Sequence, residues 1–350
     1  MSNPEREAAI LEEIIRYYME NQEAISARTL SKISRLSLSP TTIRNLMEDL
    51  SLAGLLTTEG ATRGRIPTQK AFTIYVTRLQ PDKEPEKAPP PQVTAMEEGG
   101  RVDTRGLLSQ VGTYLVERTG LMALAELPSE NMYPLNWIRF LHLPSKEILV
   151  AVNTLFDDFW TKTLQSHGDF PDDLLSGVCR FIGDRYRGQP LENIRKDIMS
   201  GEPREHLESM PSLGAAFRML RKAFEWRETP EVASWGWENM LNIMEFSHPA
   251  QVQDMMEALE TPGLLPLALR HGHPISRGRV ALGTELGHHS LEHGALMVFP
   301  VQYRQWQALI GVFGPMHMNY AQVVHHIGQA ADYLTGHLGR TAEASLGYPA

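Results

Sequence analysis

A single cysteine, Cys179, stands in 350 residues. That excludes an intrachain disulfide framework and any zinc site built from several thiolates. Long apolar runs are missing too: Ala308 to Phe313 is typical, far short of the ~20 residues that span a bilayer. No opening segment couples a basic stretch to an apolar one in the manner of a secretory signal, so the expected location is cytoplasmic, with no membrane partner. Catalytic signatures are absent as well. There is no Gly-x-Ser-x-Gly elbow, phosphate-binding loop, dinucleotide fingerprint or His-Glu-x-x-His. The acid pairs Asp157-Asp158 and Asp172-Asp173 read as turn and capping residues. The chain therefore reads as a non-enzyme, with no catalytic, cofactor-binding or metal-ligating set expected.

Positive charge is scarce overall, with 33 Lys and Arg against 42 Asp and Glu and a net charge of -9. Its placement is uneven. Residues 1 to 80 hold 10 basic and 9 acidic side chains, so the rest of the chain carries -10. Between residues 28 and 70 the basic residues Arg28, Lys32, Arg35, Arg44, Arg63, Arg65 and Lys70 outnumber Glu48, Asp49 and Glu59. A cationic face on an acidic body suits DNA binding, and the acidic remainder discourages unspecific adhesion to the polyanion.

The length suggests two or three domains. In the first, Asn3-Pro4 opens a helix with a capping side chain and a proline at the first helical position. Ile10, Leu11, Ile14, Ile15 and Tyr18 form its apolar stripe. Ser26 can cap a short second helix carrying Leu30 and Ile33. Ser39-Pro40 opens a third, whose apolar positions Ile43, Leu46, Met47 and Leu50 share one face. Gly54 ends it. Leu55 to Thr58 and the return from Arg65-Ile66 make a small hairpin around the flexible tip Gly60 to Gly64. Thr68 caps a further helix through Phe72, Tyr75, Val76 and Leu79. Three helices followed by a two-stranded wing is a winged helix-turn-helix, placed at 1–80.

Residues 81–100 are rich in proline and charge and read as an extended, partly disordered linker. Beyond it, helices are expected over Leu107 to Leu121, Asp172 to Tyr186, Val252 to Leu259 and Val323 to Leu338. Strands are expected over Ile138 to Leu143, Glu147 to Thr154, Trp160 to Gln165, Ile275 to Leu282, Ala295 to Tyr303 and Trp306 to Phe313. Residues 190 to 240 read as mostly helical. The class is α+β, a sheet flanked by helices with a helical segment between its halves.

The third helix is the candidate for reading DNA. A helix fits the major groove with its N-terminal residues at base edges, and its N-terminus favours phosphate. Thr41 and Thr42 can bond phosphate or touch a thymine methyl. Arg44 suits the bidentate contact to guanine, and Asn45 that to adenine. Arg63 and Arg65 flank the wing tip and suit phosphate or minor-groove contact. An ordinary solvated helix face is the alternative reading of the same residues.

Residues 6 to 78 resemble the N-terminal domain of the heat-inducible transcription repressor family HrcA. The matching stretches are Ile25-Ser26-Ala27-Arg28-Thr29-Leu30, Thr42-Ile43-Arg44-Asn45 with Met47 and Leu50, Gly54-Leu55-Leu56, and Gly64-Arg65-Ile66-Pro67-Thr68 followed by Tyr75-Val76. Gly314-Pro315-Met316-His317-Met318-Asn319-Tyr320 is similar to that family's Gly-Pro-x-Arg-Met-x-Tyr signature. The resemblance implies a homodimer with a winged helix and a GAF-like domain over 101–190 and 241–340, interrupted by a mostly helical dimerising insertion at 191–240. It also implies repression of chaperone genes through an inverted-repeat operator, assisted by the chaperonin GroEL. The DNA-reading role is carried onto Thr41, Thr42, Arg44, Asn45, Arg63 and Arg65. The chain departs from the pattern at Leu46, where Asp is usual, at Gly60-Ala61-Thr62-Arg63 in the wing, and at Ala71-Phe72-Thr73. It departs again at Leu282-Gly283-Thr284-Glu285-Leu286 and at His317, where Arg is usual.

Other features invite sharper readings. His289 and His293 are spaced as metal ligands on a helix, with His288 beside them, but Gly287 and Gly294 bracket the segment and favour a solvated loop. His325 and His326 point to different helix faces. Trp226, Trp235 and Trp237 suit helix packing or a dimer interface better than a pocket. Cys179, at helical spacing from Leu175 and Ile182, is expected to be buried and inert. A GAF-like pocket binding a small molecule to control an attached DNA reader is the second functional reading.

Overall fold

In a computed structural model, the apolar stripe of the first helix, α1 (Asn3–Asn21), is buried at Ile10, Leu11, Ile14 and Ile15. The structure describes residues 3–36, 38–58, 64–78, 97–98, 101–102, 104–127, 133–144, 147–155, 159–165, 170–200, 221–224, 232–243, 246, 249–303 and 306–338. Of the linker expected at 81–100, only Glu97–Glu98 (β3) is among them, paired with Arg101–Val102 (β4); the rest lies outside the described residues.

Capping sets the next two helices. The Thr29 amide donates to Ser26 Oγ at 3.1 Å and starts α2 (Ala27–Ile33). The Thr42 amide donates to Ser39 Oγ at 3.1 Å and starts α3 (Pro40–Leu52). Each such cap satisfies an amide that the helix itself leaves unpaired. Ile43, Leu46, Met47 and Leu50 are buried, each contributing at most about 1.5–3 kcal/mol of apolar burial. Gly54, at φ 73°, takes the left-handed turn after α3. The wing follows as β1 (Leu56–Thr57) antiparallel to β2 (Ile66–Pro67). Ile25 and Arg65 exchange backbone hydrogen bonds at 3.0 and 2.9 Å, tying the wing base to the chain before α2. Thr68 Oγ1 donates to the Gly54 carbonyl at 2.8 Å and leads into α4 (Gln69–Arg78).

The body is a six-stranded antiparallel sheet in the order β10-β11-β12-β13-β5-β9. Its strands are β5 (Met122–Glu126), β9 (Val232–Trp235), β10 (His273–Ile275), β11 (Gly278–Leu282), β12 (Gly294–Tyr303) and β13 (Trp306–Pro315). Helix α5 (Thr104–Thr119) and the last helix, α10 (Tyr320–Leu338), lie against one face. Phe299 points at Gly328 of α10, whereas Gly311, paired with the neighbouring Val298, approaches Leu265 of α9 (Leu264–His271). Helix α9 therefore covers the opposite face. With both faces covered, β12 and β13 are buried almost without alternation, the pattern of a strand with no solvent side. Helix α8 (Pro249–Leu259) precedes α9.

The chain divides into two compact units, Met1–Glu126 with Val232–Gly339, and Leu127–Glu231. The second unit has its own core. Strands β6 (Leu135–Leu143), β7 (Glu147–Thr154) and β8 (Phe159–Gln165) form an antiparallel sheet in that order. Ile138, Phe140, Ile148, Val150 and Val152 pack with Leu175, Val178 and Ile182 of α6 (Asp172–Tyr186) and Ile194 and Ile198 of α7 (Leu191–Ser200).

Several expectations are corrected here. The interrupting unit is Leu127–Glu231 rather than 191–240, and it includes a three-stranded sheet. The stretch 191–240 straddles both units, because β9 hydrogen-bonds to β5 of the large sheet. The single strand expected over Ile275 to Leu282 is a hairpin, β10 and β11, turning at Ser276, whose φ is 43°. Strand β5 and helix α9 were not read from sequence. The first, Met-Ala-Leu-Ala-Glu, is buried throughout and has no period of two. The second carries Pro266 in its first turn, where proline is tolerated but resembles a breaker.

Candidate nucleic-acid interface

The buried stripe of α3 dictates what its other face offers. With Ile43, Leu46, Met47 and Leu50 turned inward, Thr41, Arg44, Asn45, Glu48 and Asp49 are exposed. The polar side chains at the N-terminal end are uncharged or cationic, and the acids lie toward the C-terminal end. The helix thus presents its positive dipole end and its one arginine together. Arg44 and Asn45, adjacent on the helix, carry between them the hydrogen-bonding patterns that match guanine and adenine edges.

Thr42 is placed differently from Thr41. Its hydroxyl lies 2.8 Å from Ser39 Oγ, within the cap, and it is half-buried. Its first role is to hold the start of α3. Arg65 is also half-buried, and its backbone forms the bridge to Ile25. It stands at the base of the wing. Arg63 lies outside the described residues. Arg28 and Lys32 of α2, part of the cationic stretch but outside the six candidate residues, are exposed; the first helix of a helix-turn-helix crosses the phosphate backbone. Lys70 Nζ donates to the Ala53 carbonyl at 2.9 Å, so this cation serves the end of α3. Leu46 is 3% exposed; this departure from the family pattern falls in the core and leaves the exposed face of α3 unchanged.

Among the described residues no group of three or more His, Cys, Asp or Glu could hold a metal ion. His288, His289 and His293 are exposed, and His288 Nδ1 lies 2.8 Å from Ser290 Oγ on a single short 3-10 turn. His326 is buried, with Nδ1 3.1 Å from the Tyr114 hydroxyl. Burial, then the neighbouring His325 and Arg118, holds its imidazole below the usual value, against a hydrogen bond to Gln329. Cys179 is buried, and burial pushes its thiol up, away from reactivity. Trp235 packs on α5, where a Cβ at Gly112 would come within 2.3 Å of its ring. Trp237 is partly exposed, and Trp226 lies outside the described residues. No helix among the described residues is long and apolar enough to cross a membrane.

Comparison with known proteins places both parts of the chain. Residues 4–80 match the family model "Winged helix-turn-helix transcription repressor, HrcA DNA-binding", and residues 105–324 match "HrcA protein C terminal domain". The heat-inducible transcription repressor HrcA of Xanthomonas axonopodis pv. citri is 22% identical over 330 residues, covering 94% of each chain. That of Methylobacillus flagellatus is 24% identical over 343 residues, covering 95% of this chain and 98% of its own. A solved crystal structure of a hypothetical protein aligns with a TM-score of 0.63 at 18% identity, covering 96% of this chain and 98% of its own, and so shares the fold.

Proposed function

This chain belongs to the HrcA family, and on that premise we propose that it represses heat-shock and chaperone genes by binding an inverted-repeat operator as a homodimer. The observation that carries the reading is α3 itself. It is a capped helix with an apolar back, and it presents Thr41, Arg44 and Asn45 to solvent beside its positive end. Repression is steric: a dimer seated on a two-fold operator overlapping a promoter excludes polymerase, and stress lowers the seated population. Such a protein works in the cytoplasm. The family resemblance adds the chaperonin GroEL as the partner that maintains the active form.

The second compact unit supports the dimer. One face of its sheet packs on α6, and the opposite face carries Trp137, Leu141 and Leu149. Leu141 is 51% exposed. This exposed apolar area, with Arg139 between Trp137 and Leu141, suits a second copy.

Binding of the full chain to inverted-repeat duplex, titrated against salt, tests the reading. The logarithm of affinity should fall with that of salt by about 0.9 per phosphate neutralised. An inverted repeat selected from random DNA should be preferred over unrelated duplex at moderate salt. Equal affinity for both would overturn the proposal.

A further inference from the structure

Two stretches lie outside the winged helix: Leu282 to Leu286, and Gly314 to Tyr320. Both meet the winged helix inside the same compact unit. Gln69, the first residue of α4, grips the first stretch through its backbone. Its Nε2 donates to the Leu282 carbonyl at 2.8 Å, and its Oε1 accepts from the Thr284 amide and hydroxyl at 3.3 Å. Gly283 stands between these points at φ 50°, where a Cβ would come within 2.4 Å of Gln69 Oε1. Only glycine permits that approach.

The second stretch supplies rings. Tyr320 is fully buried, and its hydroxyl donates to the Met316 carbonyl at 2.6 Å, which fixes the ring. Phe72 of α4 packs against it with centroids 6.3 Å apart. His317, 7% exposed, stands edge-on to Tyr18 of α1 at 5.9 Å. One contact would make a pivot. Two, a hydrogen-bonded one at the start of α4 and an aromatic one spanning α4 and α1, make a clamp that fixes rotation.

We propose that Gln69, with Gly283 and the Tyr320–Phe72 pair, positions the DNA reader on the body and thereby sets the spacing between operator half-sites that the dimer accepts. These are positioning residues; none is exposed on the reading face of α3. The inference rests on the dimeric reading above. If the two-fold axis passes through the body, the orientation of each α3 relative to its own body fixes the distance and helical phase of the two half-sites.

The full chain, wild type and Gln69→Ala, is titrated with three duplexes. They are the selected inverted repeat, the same repeat with its spacer lengthened by half a turn, about 5 base pairs, and a single half-site. Wild type should strongly prefer the selected spacing. Gln69→Ala should lose about ten-fold of that preference, the scale of one or two net hydrogen bonds, while half-site affinity stays within about two-fold. Gln69→Glu keeps the size, replaces the donor to the Leu282 carbonyl with an acceptor, and should act in the same direction. Retention of wild-type spacing preference by both variants overturns the inference, as does a loss confined to half-site affinity. A wild-type chain with no preference for any inverted repeat overturns the functional reading itself.

Discussion

Helices α3 and α4 belong to one small module and are used in opposite ways. Each buries an apolar stripe, Ile43, Leu46, Met47 and Leu50 in one and Ala71, Phe72 and Val76 in the other. The remaining face of α3 is left to solvent, with Arg44 and Asn45 exposed. The buried side of α4 meets the sheet body as well, through Gln69 and Phe72. A reader must keep its donors available for a ligand, while a mount must spend its contacts on the scaffold. The difference between the helices therefore lies in what each side is packed against: the stripe of α4 extends to Tyr320 and Gln69 to Leu282, whereas the polar side of α3 is exposed.

The largest break in this comparison comes from the mount. Phe72 is 2% exposed and touches both Tyr18 and Tyr320. Phe72→Ala should cost about 3–5 kcal/mol of stability, read as a lowered denaturant midpoint, with DNA affinity at low temperature reduced far less. Arg44→Ala should do the reverse. It should weaken operator binding by about 1–3 kcal/mol and relax preference at one base pair, with the melting temperature unchanged within error. A matching loss of stability in Arg44→Ala would erase the distinction between the two helices.

The smallest effect concerns the helix that carries Tyr320. His326 of α10 is kept neutral by burial, so its folded pKa lies below the unfolded value of about 6.5. As pH falls through that value the unfolded chain takes up the proton first, and stability present above it is lost until the lowered folded pKa is passed. Thermal midpoints measured from about pH 7.5 down to about 5.5 should therefore fall, and His326→Gln should flatten part of that slope. An unchanged slope in the variant would show that other groups set it.

The exposed face of α3 was legible in the sequence because its signals are local. Ser39, Pro40 and a stripe spaced i, i+3, i+4, i+7 define α3 within a dozen residues, and whatever is not on the stripe is exposed. Thr42 is legible as an α3 residue, but its position in a capping sequence also engages it with Ser39. The mount was hidden because Gln69 and Leu282 are separated by 213 positions, and no periodicity relates them. The boundary of the second unit was hidden for a similar reason. Strand β5 and strand β9 are neighbours in the sheet, yet the stretch between them holds a complete core of its own. Neither short strand alternates in burial, so the period of two that betrays a half-buried strand is missing.

That pairing has a consequence for how such a chain can be cut or lengthened. Glu126 lies directly opposite Val232 in the β5–β9 ladder, so the second unit departs and returns at adjoining points of the sheet. Everything from Leu127 to Glu231 is, topologically, the loop of a β-hairpin. A tight turn joining Glu126 to Val232 would close the same ladder. The large sheet and the DNA reader mounted on it then form a module into which units of other kinds could be spliced at this one hairpin without changing the strand order.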